Sequence, residues 1–122
     1  MKTFKDLVAE ARPRVREVTV EDVMQMRANG DEALILDIRE ESEWAAGHMP
    51  GAHHLGRGVL EVKAHQVLPD PDVPIVLYCG GGNRSVLAAD VMQVMGYTNV
   101  ASMSGGWRGW MAAGGDSEQG DT

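Results

Sequence analysis

Two short runs, ALILDI (residues 33–38) and VPIVLY (residues 73–78), are apolar almost without interruption, and they constrain the fold most. A strand with one wet face alternates polar and apolar residues. A continuous apolar run of this length reads instead as a strand covered on both faces, as in a parallel sheet. The segments around the two runs have helical character: residues 40–46 closed by Gly47, a weakly amphipathic stretch at 59–68, residues 84–95 ended by Gly96, and residues 107–113. In the third of these the expected buried stripe is Leu87, Val91, Val94 and Met95. Residues 52–55 and 99–103 supply two further short strands. Strands separated by helices build βαβ units, so the expected class is α/β, a parallel sheet with helices on both faces.

The N-terminal part adds two helices. Phe4, Leu7, Val8 and Ala11 recur at helical spacing before Pro13 closes or kinks the segment. Thr19, with Asp22 three residues on, caps a second helix carrying Val20, Val23 and Met24, and Asn29-Gly30 ends it. The last stretch, GGDSEQGDT, is polar and glycine-rich, so residues 114–122 are expected to form a disordered acidic tail. At 122 residues the chain fits one domain on the usual ~100–200 residues. It shows no internal repeat. A net charge of −7 argues against a nucleic-acid or anionic-membrane binder, which would need excess Lys and Arg. The longest uncharged stretch, from Val91 to Trp107, is broken by polar residues and cannot serve as a ~20-residue membrane span. Charges near the start lead to the expectation of no secretory signal and of a cytoplasmic protein. The single cysteine, Cys79, allows neither an internal disulfide nor a multi-cysteine metal site.

Chemistry concentrates in VLYCGGGNRS, residues 76–85. Cys79 stands at the carboxyl end of an apolar strand, where open α/β sheets bind ligands. Gly80, Gly81 and Gly82 can take positive φ and turn backbone N–H groups inward as an anion-binding nest. After Asn83, a helix beginning near Arg84 and Ser85 adds unpaired N–H groups and the positive end of its dipole, and Arg84 adds a cation. Each of these favours thiolate over thiol and should lower the Cys79 pKa below the free value of ~8.5. The combination describes a nucleophile that attacks anions, and it outweighs the reading of Cys79 as a buried structural cysteine.

The loop C-G-G-G-N-R-S resembles the active-site loop of the rhodanese-like sulfurtransferases, C-x-x-G-x-R-S. LILDIREESEWAAGHMPGA (34–52) is similar to that family's D-x-R…E-[WFY]…G-H-[IM]-P-G-A segment, and SGGWRGW (104–110) to its closing G-G-W-x-x-W. The likeness covers residues 17–113 as one rhodanese-like domain and leaves residues 1–16 as a helical extension. It implies a five-stranded parallel sheet. It also implies a chemistry: Cys79 takes a sulfane sulfur from thiosulfate or another small anionic donor, becomes a persulfide, and passes the sulfur to a thiol, or to cyanide in an assay. In that scheme the N–H groups of Gly80, Gly81, Gly82, Asn83, Arg84 and Ser85 hold the persulfide and Arg84 helps to bind the donor. No metal or organic cofactor is required.

Two alternatives use the same loop. One is a sulfur relay or interaction module, in which Cys79 passes sulfur between partner proteins. The other is a phosphatase or arsenate reductase of the same architecture, but those place five residues between Cys and Arg. Here Gly80 to Asn83 give four, a cradle sized for a sulfur atom rather than a tetrahedral phosphate. Asp37 and Arg39, at the end of the first strong strand, read as a pair that orders a loop more than as site residues. His48, His53, His54 and His65 form no i, i+3 or i, i+4 pair and read as structural or solvent-facing. Trp44, Trp107 and Trp110 are expected to seal the sheet's margin, and the eight methionines to fill the core. No nucleotide-binding glycine motif occurs.

Overall fold

In the computed structural model, which describes residues 1–120, both apolar runs are strands at the middle of one sheet. The elements in chain order are α1 (Phe4–Ala11), β1 (Arg16–Val18), α2 (Val20–Ala28), β2 (Leu34–Asp37), α3 (Glu41–Ala46), β3 (His53–His54), α4 (Leu60–Val67), β4 (Ile75–Tyr78), α5 (Arg84–Val94), β5 (Val100–Met103) and α6 (Gly106–Ala112). Short 3₁₀ turns at Arg12–Arg14 and Arg57–Val59 precede β1 and α4. The five strands lie in the order β1-β5-β4-β2-β3, and every neighbouring pair is parallel. The expected α/β class, a five-stranded parallel sheet with helices on both faces, is the fold observed.

Side-chain alternation along β4 divides the core. Ile75 and Leu77 pack with Val8, Leu60, Ala64, Val86, Ala89 and Met92 beneath α1, α4 and α5. Val76 and Tyr78 pack on the other face with Val23, Trp44, Met49 and Trp110 of α2, α3, the following loop and α6. Cys79 continues the alternation toward the α5 side. The capping box predicted at Thr19 and Asp22 is present, and Thr3 with Asp6 forms a second one at the head of α1.

Three expectations are corrected. On α5 the buried residues are Ser85, Val86, Ala88, Ala89 and Met92, whereas Val94 is 84% exposed and Met95 is exposed too. This helix is apolar nearly all round, so periodicity could not choose the face, and the small residues win by letting the helix sit close to the sheet. On α1 only Val8 and Ala11 are buried, while Phe4 and Leu7 face outward. The disordered tail is the third. Residues 114–120 fold back along the loop after α3, where Glu118 exchanges backbone hydrogen bonds with His48 at 2.9 and 3.0 Å. The Trp110 indole N–H donates to the Asp116 carbonyl at 2.8 Å. Composition registers side chains, but this segment is held mainly by its backbone. The rest of the predicted tail, Asp121 and Thr122, lies outside the described residues. Among those described, no helix is long and apolar enough to cross a membrane.

Candidate active site

The buried Cys79 is the first residue past β4, and the chain turns so that its sulfur lies under the start of α5. Gly82, at φ 97°, turns its N–H onto Sγ at 3.2 Å. That backbone geometry is costly for any residue bearing a Cβ. The Ser85 N–H points to the sulfur at 3.4 Å and its hydroxyl lies 3.5 Å away. No side chain caps α5. The sulfur accepts an N–H of its first turn instead, as a capping oxygen would, and sits at the positive end of the helix dipole. Burial alone pushes the Cys79 pKa up, but the Ser85 hydroxyl and the N–H groups of Ser85, Gly82 and Gly81 more than reverse it, leaving the thiol below its ordinary value.

The loop is fixed from behind by α6. The N–H groups of Trp107 and Arg108 donate to the carbonyls of Cys79 and Gly80 at 2.7 and 3.0 Å, so the outward carbonyls are satisfied and the inward N–H groups stay available. Gly106 makes this approach possible, since a Cβ there would overlap the Cys79 carbonyl and Gly80. Ser102, buried on β5, bonds the Ser85 hydroxyl at 2.7 Å and holds it beside the sulfur.

Of the predicted loop residues, Gly81, Gly82 and Ser85 meet the sulfur. Gly80 serves instead as the carbonyl that α6 grips. Asn83 accepts from Arg12 at 3.1 Å, which ties the end of α1 to the loop. Arg84 reaches the rim, but both its terminal nitrogens bond the Glu43 carboxylate of α3 at 3.0 and 3.2 Å. That bidentate contact is the main reason the Glu43 carboxyl lies below its usual range. Arg108, whose guanidinium lies over Gly81, lines the mouth above Cys79 and makes no ion pair among the described residues. Phe4 lines the same mouth. Sequence reading assigned no site role to Glu43, Ser102, Arg108 or Phe4, although Glu43 and Arg108 sat inside quoted motifs.

Asp37 and Arg39 form a buried bidentate pair, closest at 2.8 Å, and Arg39 also donates to the Gly47 carbonyl at 2.6 Å. The pair joins the end of β2 to the loop after α3 and makes no hydrogen bond to Cys79. Arg39 lies 4.9 Å from the Trp107 ring centre, which packs that tryptophan at the sheet's end. His48 is fully buried and stacked on Trp44 at 3.4 Å, a structural position. Taken together, the geometry holds a thiol whose pKa is lowered in a backbone cradle that opens to a rim carrying Arg84 and Arg108. Such a sulfur can attack an electrophilic atom of an anion and keep a negative product bound.

Comparison with known proteins gives concordant matches. The family model described as rhodanese-like domain matches residues 19–113. The thiosulfate sulfurtransferase GlpE of Pseudomonas entomophila (strain L48) is 34% identical over 95 residues, covering 78% of this chain and 84% of that protein. YrkF of Bacillus subtilis (strain 168), named as a candidate sulfur carrier protein, is 32% identical over 103 residues. That alignment covers 84% of this chain but 54% of YrkF, so the chain spans about half its length. Among solved structures, a protein of unknown function from Rhodopseudomonas palustris CGA009, described as a possible tyrosine phosphatase, is similar with a TM-score of 0.89 and 33% identity, over 97% of this chain and 96% of that one.

Proposed function

The chain belongs to the rhodanese-like domain family, and from that premise we propose that it is a sulfurtransferase with Cys79 as the sulfur-carrying nucleophile. The observation that carries this reading is the sulfur itself, bonded by the N–H groups of Gly82 and Ser85 at 3.2 and 3.4 Å and flanked by the Ser85 hydroxyl. The Cys79 thiolate attacks the outer sulfur of thiosulfate. The new S–S bond forms as the old one breaks, and the departing electron pair leaves with sulfite. Three negative charges enter the step and three leave it, as persulfide and sulfite, so no redox partner is needed. The outer persulfide sulfur then sits deeper in the same N–H cradle until an acceptor thiolate, or cyanide, removes it and restores the Cys79 thiolate.

The name of YrkF supports a variant of this reading, in which the acceptor is a partner protein and the chain relays sulfur. Phosphatase chemistry, suggested by the description of the R. palustris protein, has less support here. Four residues separate Cys79 from Arg84, and the arginine is held by Glu43 rather than aimed at the space above the sulfur. The test is the intact mass after thiosulfate treatment. One reducible sulfur atom should add to the wild type and none to Cys79→Ser, whose hydroxyl stays protonated with no general base beside it. Sulfur loading that persists in the serine variant would overturn the assignment.

A further inference from the structure

Among the described residues the buried polar side chains are Asp37, Arg39, His48, Ser85 and Ser102. Asp37 and Arg39 neutralise each other, and His48 is stacked on Trp44. The two serine hydroxyls have each other and the sulfur. Ser102 stands in β5 between Ala101 and Met103, in register with Leu77, and no part of it meets solvent. A hydroxyl so placed costs stability unless it is bonded. Its hydrogen-bond partner among the described residues is the Ser85 hydroxyl, at 2.7 Å, which in turn lies 3.5 Å from Sγ. The three groups form one hydrogen-bonded chain from β5 through α5 to Cys79.

Each hydroxyl has one proton, so the chain can run in two directions. In one, the thiol donates to Ser85 and Ser85 to Ser102, which leaves the Ser102 proton buried without an acceptor. In the other, Ser102 donates to Ser85 and Ser85 to the sulfur, and every proton is used. That second direction requires a sulfur that accepts, which is Sγ as thiolate. The N–H groups of Gly82 and Ser85, which can only donate, require the same. Building on the sulfur-transfer reading above, we propose that Ser102 is a positioning residue for that reaction: by donating to Ser85 it commits the Ser85 proton to Sγ. Without Ser102 that proton is free to turn to a carbonyl one turn back, a common partner of a helical serine. The effect enters both half-reactions. In loading, it raises the share of thiolate that attacks the donor. In discharge, cyanide bonds the outer sulfur, the S–S bond breaks, and the electron pair returns to Sγ, where the hydroxyl chain receives it. Persulfide and cyanide bring two negative charges to that step, and thiolate and thiocyanate carry two away.

The test is a double-mutant cycle on the pH profile of Cys79 alkylation by iodoacetamide, in wild type, Ser102→Ala, Ser85→Ala and the double variant. Each substitution removes one oxygen and adds nothing, so all four proteins should fold. The charged groups near the sulfur, Arg84 with Glu43, Arg108, and the Asp37–Arg39 pair, are common to all four, so their influence cancels. Ser102→Ala should move the profile upward by about half a pH unit, which slows alkylation on the acidic limb ~3-fold. In the Ser85→Ala background the same substitution should leave the profile in place, because the hydroxyl through which it acts is gone. An unmoved profile in Ser102→Ala would overturn the proposal. So would equal shifts in both backgrounds, the mark of a strand that has merely repacked. Cyanide discharge of the loaded Ser102→Ala protein should slow by a similar factor, and an unslowed discharge would overturn the part assigned to Ser102 in that half. Alkylation needs no sulfur donor, so the cycle is independent of the sulfur-transfer reading, which wild type that takes no sulfur from thiosulfate would overturn by itself.

Discussion

A thiol as buried as Cys79 resists ionisation unless the thiolate finds donors, because burial strips its hydration. Here the donors are the Ser85 hydroxyl and the N–H groups of Ser85, Gly82 and Gly81, and their combined effect exceeds that of burial. Alkylation of Cys79 by iodoacetamide should therefore titrate below the free-thiol value of ~8.5, and sulfur loading should rise with pH through the same lowered pKa and then level off. Ser85→Ala removes the strongest of these donors and should move both profiles upward. Arg84→Ala should move them less, since its guanidinium faces Glu43. The adjacent glycines should separate in the same experiments. Gly82→Ala meets a positive φ and places its Cβ 3.0 Å from the Gly105 backbone nitrogen, so it should lose about 1–2 kcal/mol in denaturant unfolding. Gly81→Ala meets only the far end of Arg108. It should fold normally and weaken donor binding by displacing that guanidinium. The donors to sulfur were legible in the sequence because they are contiguous with Cys79. Ser102 and Phe4 reach the site through tertiary folding from β5 and α1, and no local pattern marks them as site residues; Glu43 lies in a quoted motif, but only the fold brings α3 to Arg84.

At the scale of elements, the site is a junction of β4, α5 and α6. The sulfur stands where a helix cap would, and the α6 N-terminus grips the loop's carbonyls. Loop length is therefore set from both ends. A glycine inserted after Gly82 would lengthen the spacing to C-x5-R and move the Ser85 N–H and hydroxyl away from Sγ. Misplacement of ~1 Å can cost on the order of 100-fold in rate, so thiosulfate:cyanide activity should fall by about that factor. Turnover of p-nitrophenyl phosphate should stay negligible in both proteins, because neither places an acid for the leaving group. Efficient phosphate-ester turnover by the native loop, or full sulfur transfer after insertion, would refute the loop-size argument. The elements themselves were readable where sequence signals were strong: the two apolar runs, the Thr19 cap, and the glycines after α3 and α5. Strand β1 was not. Its residues, Arg16, Glu17 and Val18, carry no strand pattern, and they become a strand only by pairing with Ala101 to Met103. The face of α5 failed for a related reason. With Val86, Leu87, Val91, Met92 and Val94 all apolar, only the sheet decides which side is covered.

For the molecule as a whole, the two sheet faces are closed differently. Helices α1, α4 and α5 cover the face that carries Cys79, and α1 adds to that core from beyond the family-matched segment. The opposite face, under α2, α3 and α6, is completed by the returning residues 115–120. That segment exchanges two backbone bonds with His48, accepts the Gly51 N–H on the Glu118 carboxylate at 3.1 Å, and accepts the Trp110 indole N–H at 2.8 Å. Each such bond contributes ~0.5–1.5 kcal/mol net, so ending the chain at Gly114 should lower stability by about 2–4 kcal/mol. Much of that loss should come from the backbone. Glu118→Ala keeps the exchange with His48 and removes only a side chain that is 41% exposed, so it should cost less than about 1 kcal/mol. Because the segment lies across the sheet from Cys79, the truncated protein should still load sulfur at the wild-type rate wherever it remains folded. Denaturant unfolding and sulfur loading, measured on wild type, Glu118→Ala and the truncated chain, check both halves. Unchanged stability after truncation would show that the segment only rests on the surface. Slowed loading in folded protein would show instead that the two faces are coupled, most directly through α3, which carries Glu43 to the rim on one side and Trp44 to His48 on the other.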